Sequence, residues 1–544
     1  MDKKKKIILA VALVLALCLG GFCFFSSTYV VVNGEVYERA ATEVVMAGQE
    51  LPDVEALQKI ENLSVLDIRN ISVTAQEYEQ LQQQLGQCRI LWNVPFQGGH
   101  QDCEITELTV SALTQEDVAR LKYFSKLQTL DASGSTDYDV LMQLRADRSD
   151  LNVIYTVDIG GALLRENTAE CAVTNDNIRN LMAMLQYLPE LNVVNADGCT
   201  DYEALMELKQ AYPELTVNYT VPISGVDCPG DATELTFENA DVEQIGNLLK
   251  YLPNVTDVIF IGEVPENEVM YQLKCQYPDV VMHWDFELFG VQTSSTAKEL
   301  ILNDIAMKST DPVEEALKYF YNLERVEMCH CGIPSADMDA LWKRHPETRF
   351  VWAVFVGSAY IRTDITALSP FMLRHSMGNP MYNYHIQELK YCVDLICLDM
   401  GHMRFSDISF LEYMPKLQYL IIADTWPTDF TPLASLSELV YLEIFMCMIK
   451  DLSPLLELKN LECLNLGWTR CNNPELLKEM TWLTHLWANN IGITDEQVQE
   501  LKDALPNTVV YVSPNKTHGS TSGGWRQIDR YYEMRDLLGL EYMK

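Results

Sequence analysis

Hydrophobic residues recur along the second half of the chain at a spacing of 22 to 24 residues. The stretch Leu439 to Asn460 (LVYLEIFMCMIKDLSPLLELKN) shows one period: a short strand pattern, a turn, and two closing leucines. Its inward positions are Leu439, Leu442, Ile444, Ile449, Leu452, Leu455 and Leu458, and its leading residue recurs at Val393, Leu417, Leu461 and Leu483. Self-similarity at one fixed period predicts a solenoid, in which each coil packs only on its neighbours.

A longer period of 63 to 68 residues precedes this block. It is marked by Leu63, Leu127, Leu191, Val255 and Leu323, and independently by the aromatic residues Trp92, Tyr155, Tyr219, Trp284 and Trp352. Each period contains three strand-like segments, and we interpret it as three coils of one continuous solenoid. Capping boxes at Thr74, Thr200 and Thr494 predict helix starts. Glycines in the third connection of each period, at Gly98, Gly160, Gly225 and Gly290, predict a turn or hairpin.

The two ends of the chain differ from the repeats. Residues 1–28 contain four lysines, Lys3 to Lys6. The uncharged 19-residue run Ile7 to Phe25 follows, and as a helix it would span roughly 28 Å. This pattern predicts a retained single-pass anchor with its N-terminus in the cytoplasm and the rest of the chain outside. Residues 29–62 are predicted to form a cap with a hairpin at Asn33-Gly34. Residues 513–524 have a linker composition, and residues 525–544 have the apolar spacing of a capping or docking segment.

Residues 386–512 resemble the leucine-rich repeats of internalin-like bacterial surface proteins. The resemblance is carried by Asp429-Phe-Thr-Pro-Leu433, by Asp451-Leu-Ser-Pro-Leu455 and by Leu458-Lys-Asn-Leu461. It implies an α/β leucine-rich repeat solenoid with a curved parallel sheet, short helices on the convex side, and macromolecular binding on the concave side. Residues 63–385 would be a divergent part of the same solenoid. No L-P-x-T-G signal lies near Lys544, which favours attachment through the N-terminal anchor.

The charge, the cysteines and the motifs of the chain disfavour several classes of function. With 77 acidic and 40 basic residues the net charge is −37, which disfavours nucleic acid and anionic membrane surfaces as partners. Thirteen of the 15 cysteines lie outside the apolar run. Cys199, Cys331 and Cys447 occupy the position of the repeat where a small polar residue bonds the turn, so we interpret them as structural. We identify no catalytic motif, no metal site and no cofactor, and predict a protein that is not an enzyme.

The best candidates for a site are the concave strand positions of the C-terminal repeats, where aromatic residues alternate with acids and amides. These predicted binding residues are Tyr419, Asp424, Tyr441, Glu443, Phe445, Asn465, Trp468, His485 and Trp487. Large rigid side chains with polar neighbours suit a protein contact at the cell surface. The alternative is that the 525–544 segment covers them. Other functions left open are a cell-envelope scaffold or spacer, and a glycan-binding accessory protein using the aromatic residues as sugar platforms.

Overall fold

The protein is described by a computed structural model covering residues 28–46, 48–370, 372–373, 381–512 and 524–541. The chain divides into two compact units. Unit 1 contains the residues up to Ala232 together with Asn247–Asn254, and unit 2 contains Thr233–Gly246 and the chain from Val255 onward. Within these described ranges no helix is long and apolar enough to cross a bilayer. The predicted anchor (1–28) lies almost wholly outside the described residues, as does most of the predicted linker (513–524).

Unit 1 alternates triplets of parallel strands with antiparallel hairpins. The triplets are Glu43–Val45, Val65–Asp67 and Arg89–Leu91; Glu107–Thr109, Thr129–Asp131 and Asn152–Ile154; and Glu170–Ala172, Val193–Asn195 and Thr216–Asn218. The hairpins are Tyr29–Val32 with Glu35–Glu38, Asn93–Phe96 with Gly99–Asp102, Thr156–Asp158 with Leu163–Arg165, and Thr220–Ile223 with Val226–Pro229. The prediction of hairpins at Asn33-Gly34 and at the third-connection glycines is confirmed, and those glycines have positive φ.

Short helices connect the parallel strands of unit 1. The α-helices are Val54–Leu57, Ala75–Leu85, Gln115–Arg120, Tyr138–Asp147, Ile178–Met184 and Tyr202–Ala211, and the 3-10 helices are Leu121–Tyr123, Leu185–Tyr187 and Leu249–Tyr251. The capping box predicted at Thr74 is confirmed. The box predicted at Thr200 is wrong by one residue, because the side chain of Asp201 accepts the hydrogen bond from the N–H of Ala204. A carboxylate is among the best N-cap acceptors, and it replaces the hydroxyl here.

The five recurring aromatic residues stand where each triplet ends and its hairpin begins, and all are buried, with at most 3% of their surface exposed. The carbonyl of each accepts a hydrogen bond from the N–H eleven residues later, at 2.8 to 3.2 Å. In four cases the side chain of that later residue also accepts from the aromatic residue's N–H. In the fifth the later residue is Gly230, where a Cβ would lie 2.2 Å from the Tyr219 ring. These aromatics are therefore structural hairpin anchors, and their buried rings are not available to stack on a sugar in the described conformation.

Unit 2 begins with the same arrangement and then changes. Its triplets are Glu234–Glu238, Asp257–Ile261 and Val281–His283, followed by Glu299–Ile301, Arg325–Glu327 and Arg349–Val351. Its hairpins are Asp285–Leu288 with Val291–Ser294 and Ala353–Val356 with Ala359–Arg362. In the described residues before Ala367 the parallel strands therefore form separate three-stranded sheets. The hairpins separate one triplet from the next.

The C-terminal sheet of unit 2 has seven parallel strands with no hairpin between them. They are Ala367–Leu368, Cys397–Asp399, Tyr419–Ile421, Tyr441–Glu443, Cys463–Asn465, His485–Trp487 and Val509–Tyr511. Their register places the buried residues Leu398, Leu420, Leu442, Leu464 and Leu486 side by side, with the half-buried Val510 at the end of the row. All seven inward residues predicted in the 439–460 repeat are at most 1% exposed. The 22-residue leucine-rich repeat predicted from the sequence is thus confirmed for this sheet.

Short helices connect the strands of unit 2, as predicted, and one further helix, Asp529–Leu537, follows the last strand. The α-helices are Val242–Leu248, Asn267–Gln276, Asp311–Ala316, Ser335–Arg344, Asp495–Ala504 and Asp529–Leu537. The 3-10 helices are Leu317–Tyr319, Asn383–His385, Gln387–Tyr391, Ser409–Tyr413, Thr431–Ser435, Ser453–Glu457 and Pro474–Glu479. The capping box at Thr494 is confirmed. Asp429 and Asp451 each accept from the residue two positions later, which starts the following 3-10 helix.

Two of the three turn cysteines bond the backbone as predicted. The thiols of Cys331 and Cys447 each lie 3.1 Å from a backbone carbonyl oxygen, that of Leu302 and that of Ile422. The thiol of Cys199 instead donates to the side-chain oxygen of Asn175, which also accepts from the N–H of Thr200. All three are buried, and burial raises the pKa of each thiol. These thiols stabilise turns and are protected from reagents.

Candidate functional site

The predicted concave face of the C-terminal sheet is formed by the first and third residues of its strands, because side chains alternate across a strand and the middle residues form the buried leucine column. The register fixes two rows of neighbours across this face. The first row is Tyr419, Tyr441, Cys463 and His485, and the second is Ile421, Glu443, Asn465 and Trp487. Both rows are dominated by side chains with large area and polar tips. A ligand crossing the strands would meet aromatic and hydrogen-bonding groups together.

The segment 524–541, here called the tail, packs on this face. Tyr531, Met534 and Leu538 are 3%, 2% and 6% exposed and belong to one buried cluster with Tyr419, Tyr441 and Trp487 of the sheet. Tyr531 lies 6.4 Å from Tyr441 between ring centroids, and the Trp525 ring stacks on Phe445 at 6.2 Å. The tail helix, Asp529–Leu537, therefore presents one apolar ridge to the sheet.

Two polar contacts fix the tail at the side of this ridge. The guanidinium of Arg530 donates to both carboxylate oxygens of Glu462, at 2.8 and 2.7 Å, and to Glu533 at 2.7 Å. The hydroxyl of Tyr419 donates to Glu533 at 2.6 Å, and Arg530 and Tyr419 together hold the pKa of the Glu533 carboxyl below its usual range. A bidentate arginine–carboxylate pair has a defined geometry, so these contacts set the register of the helix on the sheet.

Two carboxyls lie beneath the tail, Glu443 buried and Asp399 half-buried. Burial raises the pKa of Glu443 to about 7, although the hydroxyl of Tyr441 donates to it and the Arg526 guanidinium of the tail lies near. Burial likewise raises the pKa of Asp399, against a hydrogen bond from the N–H of Gly401. Taking a carboxylate out of water is costly unless its charge is compensated. The tail thus covers the carboxyls of Glu443 and Asp399, whose charges are costly to remove from water.

The structure divides the nine predicted binding residues into two groups. Tyr419, Tyr441, Glu443, Asn465 and Trp487 are buried, with at most 4% of their surface exposed, and do not face solvent in the described conformation. The physical reason is the cover that the sequence left open as an alternative. The remaining four, Asp424, Phe445, Trp468 and His485, are partly exposed. The role of all nine residues in binding stays a prediction.

A turn residue with positive φ follows each of five successive strands and forms one edge of the face. These residues are His402, Asp424, Met446, Trp468 and Asn490, with φ between 54° and 63°. His402 lies 3.1 Å from Asp424, and Met446 is 47% exposed. The exposed side chains of Trp426 and Met448 lie in the turns that follow this edge. The edge therefore offers accessible apolar and charged groups beside the covered face.

Sequence reasoning missed the residues that hold the tail, namely Glu462, Arg530 and Glu533. Glu462 precedes its strand and has the composition of an ordinary solvated position, so its sequence context carried no signal. The spacing of Ile528, Tyr531 and Leu538 did indicate an amphipathic segment. What it could not indicate was the surface on which that segment packs, because partners such as Glu462, 68 residues before Arg530, are distant along the chain.

A second concavity lies elsewhere in unit 2, between the helix Ser335–Arg344 and the 3-10 helices Gln387–Tyr391 and Ser409–Tyr413. It has a volume of about 470 Å³ and is lined by Asp339, Trp342, Lys343, Pro346, Lys390, Tyr391, Val393 and Tyr413. The guanidinium of Arg349 lies over the Trp342 ring at 4.1 Å, so one face of that ring is already taken. In the part of the chain that the structure describes, no three metal-ligating side chains come together.

No protein-family model matches the sequence, and no curated protein is similar enough to count as a relative. Solved structures similar to this chain are leucine-rich repeat proteins. An internalin from Listeria monocytogenes is 17% identical over 65% of this chain and 85% of its own, with a TM-score of 0.25. An internalin C2 from the same organism is 26% identical over 24% of this chain and 68% of its own, with a TM-score of 0.20. A leucine-rich repeat protein of Leptospira interrogans is 12% identical over 85% of this chain and 92% of its own, with a TM-score of 0.24.

TM-scores this low do not support a conclusion about the arrangement or function of this chain. The leucine-rich repeat fold rests instead on the register of the seven-stranded sheet, on its buried leucine column and on its turn residues.

Proposed function

We propose that this chain is a protein-binding leucine-rich repeat protein, held at the cell membrane by residues 1–28, with its repeats outside the cytoplasm. The partner would bind at the concave face of the C-terminal sheet and the adjoining edge of turn residues. One observation carries the proposal: the face is complementary to polypeptide, since it packs an apolar helical ridge and pairs a fixed carboxylate with an arginine. Aromatic anchors ringed by polar groups are typical of protein interfaces.

Site-specific photo-crosslinking on whole cells tests where a partner binds. A photo-reactive amino acid would replace Trp468, at the edge of the face, and in a matched variant Glu457, exposed on the opposite side of its repeat. We expect a crosslink to another protein from position 468 and none from position 457. Equal crosslinking at both positions, or crosslinks from 468 only to copies of the same chain, would refute the proposal; the latter result would favour the scaffold function.

Thiol labelling tests the membrane orientation. Cys275 is the exposed cysteine among those that the structure describes, and the Cys275→Ser variant is its control. If the repeats lie outside the cytoplasm, a membrane-impermeant maleimide rapidly labels the wild-type chain on intact cells, whereas the variant shows only the slower labelling of half-buried Cys471. Labelling that appears only after lysis would place the repeats on the other side and overturn the orientation.

A further inference from the structure

The tail occupies the concave face in the way that a ligand would. Its contacts come from one stripe of the helix, in which Tyr531, Met534 and Leu538 alternate with solvent-exposed residues such as Asp536 and Leu537. Its partners come from five successive strands of the sheet, from Cys397 to Trp487. An amphipathic helix laid across a hydrophobic face is a recurring mode of peptide recognition.

The face contacts polar as well as apolar side chains of the tail. Glu462 receives two hydrogen bonds from Arg530, and Tyr419 binds Glu533, which lies three residues further along the same helix. Both polar contacts stand beside the apolar ridge and leave it uninterrupted. A ligand for this face therefore needs an arginine next to the first aromatic residue, with apolar residues three and seven positions after that aromatic.

The tail helix depends on the sheet for its structure. It has nine residues, and its N-cap position is Ile528, which makes no side-chain capping hydrogen bond. Isolated helices shorter than about 12 residues are only marginally formed in water, and an N-cap without a polar side chain weakens them further. The tail therefore gains its helical order mainly from the contact with the face.

The fit between tail and face is incomplete. Three side-chain nitrogens of the tail are buried without an acceptor among the residues that the structure describes: Nε1 of Trp525, Nε of Arg526 and Nε of Arg535. The buried carboxyl of Glu443 and the half-buried carboxyl of Asp399 lie beneath the same segment. Buried polar groups without partners weaken an association. A segment that kept the ridge and satisfied these groups would bind the same face more tightly.

We infer that the concave face is a binding site for an amphipathic helical segment of a partner protein, and that the tail is an intramolecular occupant which this segment displaces. The inference rests on the proposed function for the existence of a partner, and it adds the kind of segment and the competition. The expected motif is an arginine followed directly by an aromatic residue, with apolar residues three and seven positions after that aromatic. The acidic Glu462 selects for the arginine.

Peptide binding to the full-length chain tests this inference. The probe is a fluorescent synthetic peptide of residues 524–541, standing in for a partner helix, and binding is measured by anisotropy. Two neighbouring leucines provide matched variants: Leu538→Gln removes a contact that is 6% exposed, whereas Leu537→Gln changes a side chain that is 42% exposed. We expect Leu538→Gln to raise the affinity for the peptide by about tenfold or more, a factor that corresponds to about 1.4 kcal/mol. Leu537→Gln should bind like the wild type.

A charge reversal separates specific binding from non-specific adhesion. In the Leu538→Gln background, Glu462→Arg should abolish binding of the wild-type peptide and restore binding of a peptide carrying Arg530→Glu. Circular dichroism checks that each chain stays folded. If a folded Leu538→Gln chain does not bind, or if Leu537→Gln binds as well as it does, the inference is overturned. Concentration-dependent dimers in which copies exchange tails would overturn it too, since the occupant would then be a second copy.

The peptide-binding experiment and the photo-crosslinking experiment on whole cells can fail independently of each other. Peptide binding without a crosslinked partner at position 468 would leave the helix-binding face standing and remove the proposed cellular role. A crosslinked protein without peptide binding would keep the role and remove the helical motif.

Discussion

The buried carboxyl of Glu443 makes the stability of the covered face depend on pH. It is 2% exposed, and burial raises its pKa from the usual 4.5 to about 7. The groups facing it are Tyr441, Asp399, His402 and, from the tail, Arg526. A carboxyl with a higher pKa in the native state binds its proton more tightly there. Its contribution to stability is therefore fully present below about pH 4.5 and is lost as the pH rises to about 7.

The size of this effect follows from the two pKa values. Each pH unit between them changes the free energy of unfolding by about 1.4 kcal/mol, so the full loss is about 3 kcal/mol. The substitution Glu443→Gln keeps an acceptor for the Tyr441 hydroxyl and removes the titration. We expect the variant to match the wild type near pH 5 and to be more stable than it by up to about 3 kcal/mol at pH 8.

Urea unfolding of the full-length chain, followed by tryptophan fluorescence, measures the difference between variant and wild type at each pH. Other titrating groups contribute equally to both chains and cancel in that difference. Glu457→Gln changes an exposed glutamate of the same repeat and controls for the loss of a charge. If the difference between Glu443→Gln and the wild type is the same at pH 5 and pH 8, the burial argument for this carboxyl is refuted.

Three further outcomes test the structure elsewhere. Tyr219→Phe removes the hydrogen bond from its hydroxyl to the carbonyl of Tyr251 (2.7 Å) and should lower the free energy of unfolding by about 1 kcal/mol in urea titrations. Asp201→Ala removes a helix cap and should cost about 1 kcal/mol in the same assay. Among the described cysteines, maleimide labelling read by mass spectrometry should modify exposed Cys275 first, half-buried Cys471 more slowly, and the eleven buried thiols only after denaturation.

The repeat could be predicted from the sequence because its determinants are local. Leu442 and Ile444 are buried as their spacing indicates, and Gly98 and Gly225 lie in the turns where a positive φ is needed. The turn thiol of Cys447 lies where the repeat pattern places it. Each of these positions is fixed by residues within one coil or the adjacent coil, so one or two periods of sequence contain the information.

Two features could not be predicted in the same way. The capping residue at the helix Tyr202–Ala211 is Asp201 and not Thr200, a choice between neighbours with similar propensity that depends on local backbone geometry. The cover on the concave face depends on contacts such as Glu462 with Arg530 across 68 residues. An alternating pattern such as Tyr441-Leu442-Glu443 is the same whether its outer face meets water or a helix. Only the tertiary structure distinguishes the two.

The number of adjacent strands in each parallel sheet explains why the tail packs on the C-terminal sheet. Adjacent strands lie about 4.8 Å apart, so a triplet spans about 10 Å from its first to its last strand. A nine-residue helix is about 13.5 Å long, which exceeds that span. In the C-terminal sheet no hairpin interrupts the strands, and seven of them span about 29 Å. Of the parallel sheets that the structure describes, this one alone is wide enough to hold a helix across its strands, and we therefore expect binding to be concentrated there.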